Sequence, residues 1–426
     1  MKKIFTLLVT VIVSFSASAQ IWDGTSAVWT NGDGTEANPY LIEKPAHLAY
    51  LSATVSPTES YEGKFFKITN ELNMGADAGQ IFRPIGKFDK GFNSETMQDE
   101  DNSSYFKGTF DGNNKPIRNL LIQLKEPNDL GGTGLFAAIN APARIHNVIL
   151  SNSVQIAGDL ETGSLVGHMT DGLVWNILFQ GRLQGTMNCG GIVAVIDAGM
   201  VQNCFNTGEI KGTNDVGGIA AQAVGSSVIK NCINAGPVTV TPSYGVGGIV
   251  SSLYDQASVT SCYNTGKITG ASLSNIFVPH AVIGDPSSST GTVSNNFYVE
   301  ATSGVSDPSA TAKTADEMKT QAVLDALNDN QNPAPFVKDE KGINSGFPNL
   351  AWIVEAANQT TSIESFIRVS EIEDFRVNGR EAVASQSVSV YTIDGRLVGQ
   401  GTHITLPTAG LYIVKSATAT AKILVK

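Results

Sequence analysis

Apolar residues along this chain come in short runs, separated by Gly and Asn rather than by charged stretches, and the runs return at a fixed interval. Aligned on one asparagine they read IRNLLI (117–122), IHNVIL (145–150), VWNILF (174–179), VQNCFN (201–206), IKNCIN (229–234) and VTSCYN (259–264), with VSNNFY (293–298) as a degenerate last copy. A second run keeps the same beat in CGGIVAVI (189–196), VGGIAAQA (216–223) and VGGIVSSL (246–253). A third follows each asparagine, as in GRLQG (181–185) and GEIKG (208–212). The runs are rich in Val and Ile and lack helical periodicity, so they read as strands. One unit cannot bury its apolar residues alone, whereas stacked units can, each strand pairing with its counterparts in neighbouring turns. Three short strands per turn predict an all-β chain. Its body is a right-handed parallel β-helix, followed by a small C-terminal antiparallel β-sandwich.

The same pattern assigns side chains. The positions flanking the anchor asparagine by one and two places are both apolar on the inner side, which strict alternation forbids. A corner at the asparagine resolves this, because Asn tolerates positive φ and bonds local backbone. Asn119, Asn147, Asn176, Asn203 and Asn231 are then expected to stack as an amide ladder. The next position reads Leu120, Val148, Ile177, Cys204, Cys232, Cys262, so cysteine shares its slot with compact apolar residues and reads as core packing. A disulfide between adjacent turns is the alternative, since strands about 4.8 Å apart come near bridging range. The residue before the anchor faces outward and varies: Arg118, His146, Trp175, Gln202, Lys230. A constant ladder beneath a variable column is how a solenoid offers a side to a partner. Trp175 leads these candidates, because an exposed indole can stack on a sugar or anchor a protein contact. Trp22 and Trp29 are expected to cap one end and Trp352 the other.

Charge and composition narrow the chemistry. The formal net charge is −11, with charged residues only 16% of the chain, which argues against nucleic acid as partner. MKKIFTLLVTVIVSFSASAQ reads as a secretory signal peptide over 1–19; its apolar run is too short to span a bilayer, and no second run is long enough. Carboxylates across the repeats (Asp197, Glu209, Asp215, Asp255) do not recur at one coil position, so no acidic catalytic cluster is predicted. QDEDN (98–102) reads as a solvated loop tip. His146 and His168 are one coil apart and read as surface histidines. There is no His-Glu-x-x-His, no Cys-x-x-Cys, no Gly-x-Ser-x-Gly and no phosphate loop, so neither metal nor other cofactor is implied. The glycine pairs at 190–191, 217–218 and 247–248 recur at coil period and mark a tight turn.

GGIVAVIDAGMVQNCFNTGEIKG and GGIVSSLYDQASVTSCYNTGKITG resemble the GLUG repeats of bacterial surface proteins, which include adhesins and the non-catalytic parts of IgA-cleaving metallopeptidases. FKGTFDGNNKPIRNLLI upstream and GFPNLAW downstream resemble the segments that flank such repeats, so the likeness covers roughly residues 36–353. The lead-in over 20–116 reads locally as a short helix from Pro45 to Ala53, a strand, and a hairpin turned at Asp111-Gly112. Repeats follow over 117–300, then a cap over 301–356 with a helix begun by the Thr314–Glu317 capping box. After a linker at 357–370, the stretch VYTIDGRLV…LPTAGLYIVK…AKILVK within 371–426 resembles the C-terminal sorting domain of the type IX secretion pathway. That resemblance implies contact with secretion machinery and display on the outer surface of a Gram-negative bacterium. Together these readings give a non-enzymatic, adhesin-like protein binding an extracellular glycan or a host or matrix protein. The alternatives are a polysaccharide-processing β-helix enzyme, a lyase or hydrolase, and a structural component of a surface assembly.

Overall fold

The computed structural model describes residues 20–93, 96–123, 131–241, 245–270, 278–359, 376–378, 381–392, 397–407, 410–415 and 420–425. The expected signal peptide lies outside the described residues, and so do residues 393–396, where Asp394-Gly395 is expected to turn between two strands. The chain forms two compact units, residues 1–356 and 357–426.

The first unit is a parallel β-solenoid of about eight turns. One turn runs through the strands Arg144–Leu150, Gln155–Ala157, Glu161–Gly163 and Val166–Met169, and the next begins at Leu173–Phe179. Each strand pairs in parallel with its counterparts, giving four sheets around the coil. The expected three strands become four because the glycine-pair run bends in the middle: Met187–Gly190 belongs to one sheet and Val193–Ile196 to the next. The glycine pairs do not adopt positive φ. They are set by close approach: a Cβ on Gly191 would lie 1.9 Å from the Gly218 carbonyl oxygen, and one on Gly218 would lie 2.1 Å from that of Gly248.

Inside, like residues stack on like. Phe66, Phe110, Ile145, Val174, Val201, Ile229 and Val259 occupy one register column and are buried. Each such side chain contributes about 1.5–3 kcal/mol by leaving water, and the repeat supplies that contribution turn after turn.

At the N-terminal end, Trp29 packs against Tyr40, Tyr50, Tyr61 and Phe66, and Trp22 meets Phe82 edge-on. The helix Pro45–Thr54 covers this cluster. Asp111-Gly112 does not close a hairpin. The strands Thr109–Asp111 and Pro116–Arg118 both pair in parallel with Arg144–Leu150, so the chain turns a coil corner there. QDEDN does not form a loop tip either: Gln98–Asp101 pairs antiparallel with Lys90–Asn93 in an exposed hairpin.

Beyond the repeats, Thr314 and Glu317 do form a reciprocal capping box, but it heads one 3-10 turn, and Thr320 caps the helix Gln321–Asn328 that follows. This segment lies along the side of the coils. The Trp352 indole donates to the Asn203 carbonyl oxygen at 2.8 Å, which places Trp352 on the flank and not over an end. The helix Ala351–Gln359 also runs into the stretch expected as a linker.

The second unit is a five-stranded antiparallel sheet. Its long strand Glu381–Thr392 pairs with Arg376–Asn378, Leu397–Thr405 and Gly410–Lys415. Val388, Val390, Ile404, Leu406 and Val414 form a core of its own.

Candidate ligand-binding groove

All the anchor positions from Asn147 onward are left-handed corners. Asn147, Asn176, Asn203, Asn231, Ser261 and Asn295 have φ between 54° and 57°. Such backbone is strained for most L-residues and tolerated by Asn. Their amides form a directional column: Asn176 Nδ2 donates to Asn147 Oδ1 at 3.0 Å, Asn203 to Asn176 at 3.4 Å, and Asn231 to Asn203 at 3.2 Å. Asn147 Nδ2 donates to Asp111 Oδ1 at 3.0 Å, and Asn231 exchanges two amide bonds with Gln331.

Asn119 and Arg118 do not belong to this column. Asn119 is also left-handed, at φ 49°, but its Nδ2 bonds Asn73 Oδ1 at 3.1 Å, and Pro116 and Ile117 pair with Ile149 and Leu150. IRNLLI therefore sits at a different corner, and Leu120 with it. The repeat signature misleads here because any left-handed corner between two buried strands selects apolar-x-Asn-apolar. Arg118 accordingly ion-pairs with Glu71 at 2.9 Å, away from His146.

The true outward column reads Lys67, Asp111, His146, Trp175, Gln202, Lys230, Thr260, Ser294. The His146 imidazole and the Trp175 indole stack with centroids 4.2 Å apart and planes 15° from parallel. Burial pulls the His146 pKa below its usual value despite nearby Asp111, so the ring is neutral near pH 7. Its Nδ1 lies 2.8 Å from Asn147 Nδ2, which assigns Nδ1 as the acceptor and leaves the proton on Nε2.

This ring pair lines one end of a groove of about 540 Å³. Lys67, Lys107 and Arg144 line it as cations, Glu36 and Asp111 as anions. Lys67 is 3.4 Å from Asp111, and Lys107 is 3.7 Å from Glu62 outside the lining. Gln202 and Lys230 continue the column past the groove and stay partly exposed. The groove is therefore lined by the stacked aromatic pair, by apolar Phe65 and Pro142, and by three cations.

The cysteines are all free and buried. The thiols of Cys204, Cys232 and Cys262 donate to carbonyl oxygens two residues back, at 3.2, 3.2 and 3.3 Å. Burial pushes Cys204 and Cys262 well above the ordinary thiol pKa and pushes Cys189 up to about 12. Burial also opposes ionisation of Cys232, but hydrogen bonds with Cys204 and Cys262 pull it down, and full enclosure keeps all four from acting as nucleophiles.

Two features escaped the sequence reading. Asn206, Asn234 and Asn264 form a second, fully buried ladder, with Nδ2 to Oδ1 distances of 2.8 Å in both steps. The signal was present in the recurring FNTG, INAG and YNTG. The other is His168, expected at the surface beside His146. It lies on another sheet, buried under Phe88, whose ring stacks at 3.6 Å. Its Nδ1 meets Glu161 Oε2 at 2.8 Å and its Nε2 meets Asp197 Oδ2 at 2.9 Å. Burial disfavours the charge, but the bonds to Asp197 and Glu161 outweigh it and raise the pKa to about 9. Among the described residues no group of three His, Cys, Asp or Glu side chains could hold a metal ion, and no helix is long and apolar enough to cross a membrane.

Residues 242–269 match the GLUG motif. A 164-residue stretch, 38% of the chain, is 26% identical to a "Putative Gly-rich membrane protein" of Evansella cellulosilytica. A 169-residue stretch is 25% identical to "Halomucin" of Haloquadratum walsbyi. The chain spans 16% and 2% of the lengths of these two relatives. Among solved structures, a "putative immunoglobulin A1 protease" from Bacteroides ovatus aligns with a TM-score of 0.55 over 75% of this chain and 94% of that one, at 17% identity. At that identity the likeness shows the fold alone.

Proposed function

We propose that this protein is an adhesin-like cell-surface β-helix that holds an extracellular glycan in the groove at His146 and Trp175. One observation carries the reading: the largest side chain of the outward column stands as a stacked aromatic pair in an open groove of ligand size. Sugars present apolar C–H faces that aromatic rings accommodate, while their hydroxyls need nearby polar partners. The GLUG motif and the named surface relatives support an extracellular setting. Residues 358–426 are proposed as the export and attachment element, acting through secretion machinery.

Binding without turnover is the favoured chemistry. His168, the one histidine held between carboxylates, is buried under Phe88 and lies on a different sheet from the groove. The test is retention of the full chain on immobilised pectin, glycosaminoglycan, chitooligosaccharide and mucin, compared with Trp175→Ala. Retention that the substitution abolishes, with no shortened oligosaccharide released, supports the proposal. Released fragments would instead favour a polysaccharide-processing enzyme. Failure of every matrix to retain the folded protein would remove the glycan reading.

A further inference from the structure

We infer that the groove selects saccharides bearing a carboxylate, with Arg144 as the residue that recognises it; this rests on the glycan reading above and narrows it to a substrate class. The protein as a whole is acidic, with a formal net charge of −11, yet three of the five charged residues lining the groove are Lys67, Lys107 and Arg144. His146 adds no charge near neutrality.

The three cations are not equivalent. Lys67 is paired at 3.4 Å with Asp111 Oδ2, the oxygen left open by the Asn147 Nδ2 and Asn113 backbone N–H bonds to Oδ1. Lys107 has Glu62 beside it. Arg144 is exposed and has no carboxylate within ion-pair distance among the described residues. It stands two residues before His146 on the strand Arg144–Leu150, hence on the same face, roughly 7 Å along from the ring pair. Its register neighbours are Thr109 and Leu173, neither of which can neutralise it.

A sugar ring packed against the stacked pair would lie beside the guanidinium, since Arg144, His146 and Trp175 line the same groove. An exocyclic carboxylate on that ring would meet the planar fork that pairs with carboxylates through two parallel bonds. A bare inorganic anion would leave the ring pair unused, and a neutral sugar would leave Arg144 unused. Nucleic acid fits poorly, since the chain as a whole is acidic and three cations are too few to track a phosphate backbone. A uronate within a chain and a terminal sialic acid share this chemistry, and the experiment separates them.

The test is calorimetric titration of the full chain with hyaluronan and polygalacturonate oligomers, with sialyllactose, and with neutral chitohexaose and lactose. The same set is run on Arg144→Gln, Trp175→Ala and, as a charge-matched control, Lys267→Gln at an exposed site outside the groove. The expected result is at least tenfold tighter binding of one carboxylated class than of its neutral counterpart. Arg144→Gln should erase that preference, Lys267→Gln should leave it intact, and Trp175→Ala should weaken charged and neutral sugars alike. Whether oligouronate or sialyllactose binds identifies the source. Equal binding of neutral and carboxylated sugars, unchanged in Arg144→Gln, overturns the inference while the glycan reading stands. Absence of any saccharide binding by the folded wild type overturns both.

Discussion

Replacing His168 by Gln should remove a pH dependence that the wild-type solenoid carries. The folded imidazole titrates at about 9, held by Asp197 and Glu161, whereas an unfolded histidine titrates near 6.5. A raised folded pKa stabilises the folded state fully below the unfolded value and loses its contribution as pH rises through the folded one. The shift of roughly 2.5 units corresponds to about 3 kcal/mol, present at pH 6 and gone by pH 10. Urea unfolding followed by tryptophan fluorescence reads the solenoid specifically, because Trp22, Trp29, Trp175 and Trp352 all lie within residues 1–356. Lysines and tyrosines also titrate toward pH 10, so the quantity to measure is the stability gap between wild type and His168→Gln at each pH. That gap should shrink by about 3 kcal/mol between pH 6 and pH 10. A gap that stays constant across the range would refute the doubly clamped imidazolium as a stabilising element.

Other substitutions probe the corners and the core. Asn176→Ala should destabilise by about 2 kcal/mol and Asn176→Gly by less, since glycine keeps the left-handed φ and loses only the ladder bonds; equal losses would mean the ladder, not the backbone, dominates. Gly218→Ala should cost about 3 kcal/mol in denaturant titrations, because its Cβ would meet the Gly248 carbonyl oxygen at 2.1 Å. Cys204→Val should cost under about 1.5 kcal/mol, and the four thiols should resist alkylation until the solenoid unfolds; rapid labelling of the native protein would contradict the burial. Deleting residues 358–426 should move the protein from the cell surface to the periplasm, as read by fractionation, and an unchanged location would end the sorting proposal.

The solenoid was legible in the chain because its determinants are local and repeated. Each left-handed corner asks for Asn and each inner column asks for a compact apolar side chain, so the spacing of Asn147, Asn176, Asn203 and Asn231 exposes both. The same locality explains the mistaken phase at Arg118–Leu120. A corner looks alike wherever it occurs on the coil, and only pairing with the next turn reveals which corner it is. Trp175 and His146 could be placed on one outward column from sequence, but Lys67, Lys107 and Arg144 could not be joined to them. The first two enter from a lead-in whose register against the repeats carries no periodic signal. His168 was opaque for a related reason: its partners lie 7 residues before it and 29 after it, and its cover comes from Phe88, a segment outside the repeat.

The anchor amides of Asn147, Asn176, Asn203 and Asn231 point the same way, each donating toward the lower-numbered turn and the last of them toward Asp111. Side-chain amides carry dipoles comparable to those of peptide units, and aligned dipoles add as they do along a helix. The column is therefore polarised along the solenoid axis with its positive end on the Asp111 carboxylate, whereas the buried ladder of Asn206, Asn234 and Asn264 donates toward higher-numbered turns and is polarised the opposite way. Two antiparallel amide arrays offset one another, so turns can be added to such a solenoid without a growing axial dipole.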